Sequence, residues 1–196
     1  MSVVLVDGGG TNIGSVRYAL QRLGVDAPLT TDAARIRAAS HVILPGVGAA
    51  GPAMQRLAAF DLVDTLRSLR QPVLGVCLGM QLLFVRSAEA DTPCLGLIPA
   101  AVHKLPAAAG LRVPHMGWNR LLPQRAHPLL AGLPDAAYAY FVHGYAAPPG
   151  PWTLAGCRHG SEFSAIVQNA NFFGMQFHPE RSAAVGSLLL KNFLTL

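Results

Sequence analysis

Charged residues are scarce in this chain: 13% of its 196 residues are Asp, Glu, Lys or Arg, whereas 52% are hydrophobic. This composition excludes an intrinsically disordered chain, which has low hydrophobicity and high net charge. The formal net charge is +5, but the Lys and Arg residues are scattered and no aromatic residues alternate with them. We therefore interpret the charge as serving solubility, or attraction of an anionic substrate or partner, rather than nucleic-acid binding.

Long hydrophobic runs and paired cysteines are also lacking. The longest apolar run, 74–85, is interrupted by Gln81 and falls short of the roughly 20 residues that cross a bilayer. The N-terminal MSVVLVDGGG has no basic region and no cleavage-like site, so no secretion is expected. Three widely spaced cysteines form no disulfide framework, and no CxxC or HxxxH spacing indicates a metal site. We expect a reduced, cytoplasmic protein that binds no metal, membrane or nucleic acid.

Alternating strand and helix patterns predict the architecture. Apolar runs predict strands at 3–7, 25–29, 41–44, 72–76, 138–145, 153–157, 163–168 and 172–178. Amphipathic patterns predict helices at 13–24, at 52–69 with a break near 60–61, from 78 to 85, and after an N-cap at Ser182 through 193. Proline-rich residues 86–134 suit short strands and loops. The pattern predicts one α/β domain over 1–196, with a mostly parallel sheet, helices on both faces and a smaller antiparallel addition.

The segment QPVLGVCLGMQ, at 71–81, places Cys77 where a strand ends and a helix begins. Gly75 and Gly79 flank it as in a nucleophile elbow, whose sharp turn leaves little room for Cβ atoms. Such a turn sets the sulfur at a helix N-terminus, where free N–H groups favour the thiolate. The alternative is that Cys77 is a small hydrophobic residue closing a buried strand.

A reactive thiol needs a base, and the segment FGMQFHPE offers His178. Pro179 favours extended backbone at His178, so that Glu180, two residues on, projects to the same side and orients the imidazole. The alternative is a loop histidine beside a solvated glutamate.

Donors for a developing oxyanion have two candidate sources. One is the N–H of Leu78, and the other is PGVG at 45–48, where Gly46 and Gly48 allow close approach to a ligand. Those glycines are equally compatible with an ordinary turn.

These motifs, GVCLGMQ, PGVG and QFHPE, together resemble the class I (triad-type) glutamine amidotransferases. Within that class, four further stretches resemble the glutaminase subunits of imidazole glycerol phosphate synthases. They are DGGGTN at 7–12, PHMGWN at 114–119, YFVHGY at 140–145 and HPERS at 178–182. The similarity runs in order along the whole chain, and PHMGWN discriminates best between branches of the class.

The resemblance implies a flavodoxin-like fold and a glutaminase without cofactor. Cys77 would attack the side-chain amide of L-glutamine, His178 would act as acid and base, and Glu180 would orient it. The N–H groups of Val47 and Leu78 would hold the oxyanion. Ammonia would pass through a channel to a separate (β/α)8 cyclase/synthase subunit of a heterodimer, which makes imidazole glycerol phosphate and an aminoimidazole carboxamide ribotide in histidine biosynthesis.

The resemblance also implies the residues that surround the site. Those expected to line the glutamine pocket are Gly46, Gly48, Gln81, His143, Gly144 and Tyr145. Those expected at the surface facing the synthase are Asn12, Trp118, Tyr140 and Arg181. The sequence departs from the family pattern at Gly144, where serine or threonine is usual, at Arg181, where lysine is usual, and in its glycines at 8–10.

Two alternative interpretations are another branch of the same class and a binding module without enzymatic activity. The glutaminase of anthranilate synthase and the amidotransferase half of GMP synthetase share the thiol and histidine motifs. Met80 disfavours the anthranilate synthase branch, and the absence of an ATP-binding domain disfavours a complete GMP synthetase. The PHMGWN stretch argues against both. A flavodoxin-like binding module would use DGGGTN as a phosphate cradle, yet the segment lacks the G-x-G-x-x-G spacing.

Overall fold

The computed structural model describes residues 1–9, 13–107 and 110–196. The α-helices are α1 (Ile13–Arg22), α2 (Ala33–Ala38), α3 (Ala50–Ala59), α4 (Leu62–Arg67), α5 (Leu78–Gln81) and α6 (Ala183–Phe193). The strands are β1 (Val3–Val6), β2 (Leu29–Thr30), β3 (His41–Gly46), β4 (Val73–Cys77), β5 (Phe84–Ser87), β6 (Thr92–Pro93), β7 (Ile98–Lys104), β8 (His115–Arg120), β9 (Leu122–Pro123), β10 (Tyr138–His143), β11 (Tyr145–Ala146), β12 (Thr153–His159), β13 (Ser161–Asn169) and β14 (Phe172–Met175).

Eight strands form the large sheet, in the order β2-β1-β3-β4-β14-β13-β12-β9. The pairs from β2 to β14 are parallel, and those from β14 to β9 are antiparallel. A four-stranded sheet, β11-β7-β5-β6, and the two-stranded sheet of β8 and β10 complete the fold. The predicted α/β fold with a mostly parallel sheet and an antiparallel addition is confirmed.

Helices cover both faces of the parallel strands because successive side chains point to opposite sides. Leu5 packs in one apolar core with residues of α1 and α6, whereas Val4 and Val6 pack in a second core with residues of α2, α3 and α4. The continuous apolar run of β1 is therefore buried on both sides, as parallel strands of this class require. Among the described residues the longest helix, α6, has 11 residues, and no helix there is long and apolar enough to span a membrane.

Several predicted elements are confirmed. The helix expected at 13–24 is α1, and the final helix reaches Phe193 as expected. The break expected near 60–61 separates α3 from α4, where Asp61 has a φ of 54°.

Three predicted strands differ most from the structure. The strand expected at 25–29 begins only at Leu29, because Pro28 before it has no N–H for a ladder. The strand expected at 138–145 divides at Gly144: β10 pairs with β8, whereas Tyr145 pairs with β7. The strand expected at 172–178 ends at Met175, and the backbone N–H of His178 donates instead to Tyr140 O at 2.9 Å.

Two helix predictions are wrong in detail. The helix expected from 78 to 85 is the single turn α5, and Phe84–Ser87 forms a strand that pairs with β6 and β7. A short apolar run suits a buried helix and a buried strand equally, so the pattern alone does not separate them. Ser182 occupies the N-cap position of α6, but its side chain makes no capping bond. Its hydroxyl donates to His178 O at 2.7 Å and accepts from Tyr140 N at 2.9 Å.

Candidate active site

Cys77 is the last residue of β4 and has φ 54° and ψ −111°, a left-handed backbone that L-residues rarely adopt. The turn depends on its two flanking glycines. A Cβ atom on Gly75 would lie 2.5 Å from Gly79 O, and one on Gly79 would lie 1.8 Å from Leu44 O. The elbow therefore packs directly on the neighbouring strand β3, and the predicted need for glycine at both positions is confirmed.

His178 reaches the thiol because β14 runs parallel to β4 beside it, with Met175 opposite Val76. The segment that follows β14 brings His178 into the same pocket as Cys77, the last residue of β4. The backbone of His178 is extended, as expected before Pro179, and its Nδ1 lies 2.9 Å from Glu180 Oε1. A carboxylate accepts from Nδ1–H, so the imidazole presents Nε2 to the sulfur.

The electrostatics of this group favour a charged imidazole. Burial alone lowers the pKa of His178, but hydrogen bonds to Cys77 and Glu180, together with the charges of both groups, raise that pKa to about 10. The side chains of His178 and Glu180 are only 9% and 2% exposed, so solvent screens this interaction weakly. A protonated imidazole beside the sulfur stabilises the thiolate.

The other two cysteines do not line the pocket that contains His178. Burial raises the pKa of the Cys94 thiol to about 11 and that of the Cys157 thiol to about 12. Both side chains lie in the apolar cores, where the neutral thiol packs as a small hydrophobic group.

A pocket of about 560 Å³ opens over the elbow. It brings together nine residues that were predicted for the site, namely Val47, Gly48, Cys77, Leu78, Gln81, His143, Gly144, Tyr145 and His178. Gly46, opposite Cys77 in the β3–β4 ladder, lies instead in a smaller cavity that Glu180 also lines. A Cβ on Gly46 would lie 2.7 Å from Gly79 N, so the end of β3 packs closely on the elbow.

Residues that sequence reasoning missed also line this pocket, including Glu89 and Lys104. Glu89 precedes β6 and its Oε2 accepts from Ala50 N at 2.9 Å, and Lys104 ends β7. They carry opposite charges, which suits a zwitterionic ligand. Neither lies in a recognisable motif, and no signal in the sequence connects either of them with Cys77.

Buried histidines adjoin the pocket. His143 donates from Nδ1 to Tyr145 O at 2.8 Å, and its Nε2 lies 3.1 Å from His115 Nδ1. Burial lowers the pKa of His143 to about 3 and that of His115 to about 4. His143 is therefore a neutral part of the pocket wall near neutral pH. Among the described residues, no three His, Cys, Asp or Glu side chains come together as a metal site requires.

The residues expected to face a partner are brought together in part. Trp118 and Tyr140 are paired across β8 and β10, with their ring centroids 5.9 Å apart. The guanidinium of Arg181 lies 4.5 Å from the centre of the Tyr140 ring. Trp118 is 54% exposed. Asn12 lies outside the described residues.

Solved structures of known proteins share this fold. A crystal structure of a glutamine amidotransferase superposes with a TM-score of 0.76 at 22% identity, over 100% of this chain and 98% of that one. The structure of PurLQS from Thermotoga maritima superposes with a TM-score of 0.71 at 18% identity, over 99% of this chain and 97% of that one. At these identities the similarity establishes the fold.

The sequence relatives are much more similar. The chain is 59% identical over 194 residues to imidazole glycerol phosphate synthase subunit HisH of Xanthomonas axonopodis pv. citri (strain 306), covering 99% of this chain and 97% of that protein. It is 57% identical, with the same coverage, to the subunit of that name from Xylella fastidiosa (strain Temecula1 / ATCC 700964). Residues 4–196 match the family described as Glutamine amidotransferase class-I. The chain therefore belongs to the class-I glutamine amidotransferases and, within them, to the HisH subunits of imidazole glycerol phosphate synthase.

Proposed function

We propose that this chain is the glutaminase subunit of an imidazole glycerol phosphate synthase, acting in histidine biosynthesis as one amidotransferase domain over 1–196. It hydrolyses L-glutamine to glutamate and passes the ammonia to a cyclase subunit. The observation that carries the proposal is the meeting of Cys77, on a strained elbow, with the hydrogen-bonded pair of His178 and Glu180 in one pocket. The names of the 59% and 57% identical relatives support the same assignment.

The reaction follows from this arrangement in two halves. The Cys77 thiolate attacks the carboxamide carbon of glutamine, and the N–H groups of Leu78 and Val47 hold the oxyanion. His178 then gives its proton to the departing nitrogen, so that ammonia leaves and a glutamyl thioester remains. The now neutral His178 takes a proton from water, which attacks the thioester and releases glutamate. Glu180 keeps the imidazole in the required orientation through both halves.

Charged side chains of the pocket wall complement the substrate. The carboxylate of Glu89 suits the α-ammonium group of glutamine, and the ammonium of Lys104 suits its α-carboxylate. Because these two groups read the amino-acid end, the side-chain amide is directed toward Cys77. Backbone groups of Gly48 and of residues 143–145, which line the same pocket, can hydrogen-bond to glutamine held in this orientation.

A partner subunit is needed because free ammonia is mostly ammonium in neutral water and has no lone pair for attack. We assign the docking surface to the exposed aromatic face of β8 and β10, together with Arg181. The partner is a (β/α)8 cyclase/synthase subunit that forms a heterodimer with this chain. Asn12, which lies outside the described residues, is assigned to the same surface by the family resemblance.

The substitution Cys77→Ser tests the function. In complex with the synthase subunit, the variant is expected to lose glutamine-dependent formation of imidazole glycerol phosphate and to keep the ammonia-dependent reaction. Cys94→Ser is the matched control, since this buried thiol has no part in the reaction, and both activities should persist. Retained glutamine-dependent turnover in Cys77→Ser would contradict the proposal. Loss of both activities would contradict separate sites for hydrolysis and synthesis.

A further inference from the structure

Gln176, a residue without an assigned role, places a polar atom against the reacting sulfur. It follows β14, is fully buried, and its backbone N–H donates to Ala165 O at 2.9 Å. Its Nε2 lies 3.9 Å from Cys77 Sγ, within range for a hydrogen bond to sulfur. A buried amide requires hydrogen-bond partners for its donors and its acceptor. An orientation that leaves them unpaired costs free energy of folding, so the orientation of this side chain is well determined.

The orientation of this amide is fixed by a backbone carbonyl. The terminal nitrogen of Gln81 lies 2.9 Å from Tyr145 O and 2.9 Å from the terminal oxygen of Gln176. A carbonyl only accepts, so the Gln81 atom facing Tyr145 O must be the NH₂ group. Its second hydrogen must then meet an acceptor, which is Oε1 of Gln176. Gln176 therefore turns its own NH₂ group toward Cys77.

The groups around the sulfur separate its two protonation states. Val142 O, at 3.8 Å, can accept a hydrogen bond from the thiol. His178 and Gln176, in contrast, offer N–H donors, which bind a thiolate more strongly than a neutral sulfur. On ionisation the contact with Val142 O is lost and the two donor contacts are strengthened. The amide of Gln176 thus favours the reactive form without carrying charge itself.

We infer that Gln176 is a further catalytic residue of this site, one that donates an N–H to the Cys77 sulfur and stabilises the thiolate, with Gln81 and Tyr145 O holding its amide in place. The inference rests on the proposed role of Cys77 as nucleophile. It also gives Gln81 a role apart from substrate contact, because both of its amide hydrogens are used within this network.

The test is the rate of Cys77 alkylation by iodoacetamide as a function of pH, followed by mass spectrometry on the full chain. Gln176→Met removes the donor at similar volume. The matched control is Gln168→Met on β13, whose amide nitrogen donates only to Ala170 O at 2.9 Å among the described residues. We expect the alkylation midpoint to rise by about one pH unit in Gln176→Met and to stay unchanged in the control.

The same variants are compared in glutamine hydrolysis by the complex with the synthase subunit. We expect kcat/KM to fall about tenfold at neutral pH in Gln176→Met and to recover toward the wild-type value as the pH is raised. A rise in KM with an unchanged alkylation midpoint would assign Gln176 to packing or substrate binding and overturn the inference. An unreactive Cys77 with no turnover in the wild type would instead overturn the proposed function.

If Gln176→Met does not fold, the wild-type chain supplies the test. The protein is labelled with ¹³C and ¹⁵N, and the side-chain N–H resonances of Gln176 are assigned by triple-resonance experiments. These resonances should shift at the pH where Cys77 becomes reactive. In Cys77→Ala that shift should disappear. An identical titration of these resonances in both proteins would overturn the inference.

Discussion

At the scale of single residues, the position of His178 is held from several sides. Its N–H donates to Tyr140 O, its carbonyl accepts from Ser182, and its ring meets Glu180. These contacts leave the imidazole little freedom, which is the condition for a base that must serve two successive proton transfers. In the proposed reaction, the side chain of Glu180 acts through this ring.

The first prediction concerns Glu180. In Glu180→Gln, an amide NH₂ can donate to His178 Nδ1 and impose the wrong tautomer, so the value of kcat for glutamine hydrolysis should fall about a hundredfold or more. The loss of the negative charge should also lower the pKa of His178 from its raised value. Both effects are measured in a kcat–pH profile of the complex. The control is Glu162→Gln, an exposed position on β13, and equal kcat values in the two variants would contradict the assignment.

Local motifs predicted contacts between residues close in the sequence, but they did not predict contacts between distant residues. Two-residue spacing predicted that His178 and Glu180 share a side, and flanking glycines predicted the turn at Cys77. The strand pattern places Gln176 only on the same face as His178 and does not predict its contact with Cys77, because that contact spans 99 residues of sequence. Glu89 likewise lines the pocket because of how the strands pair, and a short motif does not reveal strand pairing.

At the scale of elements, the elbow depends on close contact of backbones. Gly46 at the end of β3, Gly75 in β4 and Gly79 in α5 each have backbone atoms of a neighbouring element where a Cβ would stand. A backbone cannot move aside as a flexible side chain can, so these positions tolerate no larger residue without displacement of a strand.

The second prediction concerns this contact. Gly79→Ala would place a Cβ 1.8 Å from Leu44 O, and we expect a loss of about 4 kcal/mol or more in the free energy of unfolding, or no folded protein. In the control, Gly14→Ala, the nearest atom belongs to the Tyr18 side chain at 3.8 Å, and stability should rise by about 0.5 to 1 kcal/mol because glycine is unfavourable within α1. Urea unfolding measures both. Equal stability of the two variants would contradict the packing argument.

The elements that were predicted incorrectly share a physical cause. The run 82–85 is apolar and short, so its pairing with β7 rather than continuation of α5 is decided by tertiary contacts. Ser182 has the residue type of an N-cap, but its hydroxyl is engaged by His178 and Tyr140. In both cases a long-range partner overrides a local preference.

At the scale of the whole molecule, buried neutral histidines link stability to pH. Burial lowers the pKa of His115 and His143 to about 4 and about 3, whereas in the unfolded chain both have a pKa near the ordinary 6.5. Burial also lowers the pKa of His41 and His127. In all four cases the unfolded chain binds protons first as the pH falls.

The third prediction follows from the sign of these shifts. The stability contributed by these four histidines should be fully present above about pH 6.5 and should be lost as the pH falls toward 4, with roughly 4 kcal/mol lost between pH 7 and pH 5 from His115 and His143 together. His178, whose pKa is raised in the folded chain, has the opposite sign, and its contribution is lost as the pH rises toward about 10. Urea unfolding at several pH values measures the loss. His115→Gln should reduce it by about half, because glutamine can still donate to His143 but does not titrate. His103→Gln, at an exposed position, should leave it unchanged, and equal losses in the two variants would contradict the assignment.

The last prediction concerns the exposed face formed by β8 and β10. Met116 and Trp118 are 59% and 54% exposed, and Tyr140 with Arg181 continues the surface. An exposed tryptophan beside a tyrosine that an arginine covers has the composition of an interface centre, since aromatic and Arg side chains dominate binding energy there. In Trp118→Ala we expect the dissociation constant of the complex with the synthase subunit to rise about 30-fold or more.

This expectation separates an interface from an accidental patch. Leu29→Ala is the control. Leu29 lies on β2, the edge strand of the large sheet that is far from β12, and β12 is the strand against which β8 packs. The affinity of Leu29→Ala for the synthase subunit should therefore match that of the wild type. Calorimetry of the purified subunits measures both constants, and the unfolding free energy of each variant shows whether its fold is intact. An unchanged dissociation constant in a folded Trp118→Ala would place the partner on another surface. Ammonia released at Cys77 would then need a route that avoids this face. Tyr140, which pairs with Trp118 across the two strands, accepts a hydrogen bond from the backbone N–H of His178, so the face is directly connected to the proposed site and is the expected position of the partner.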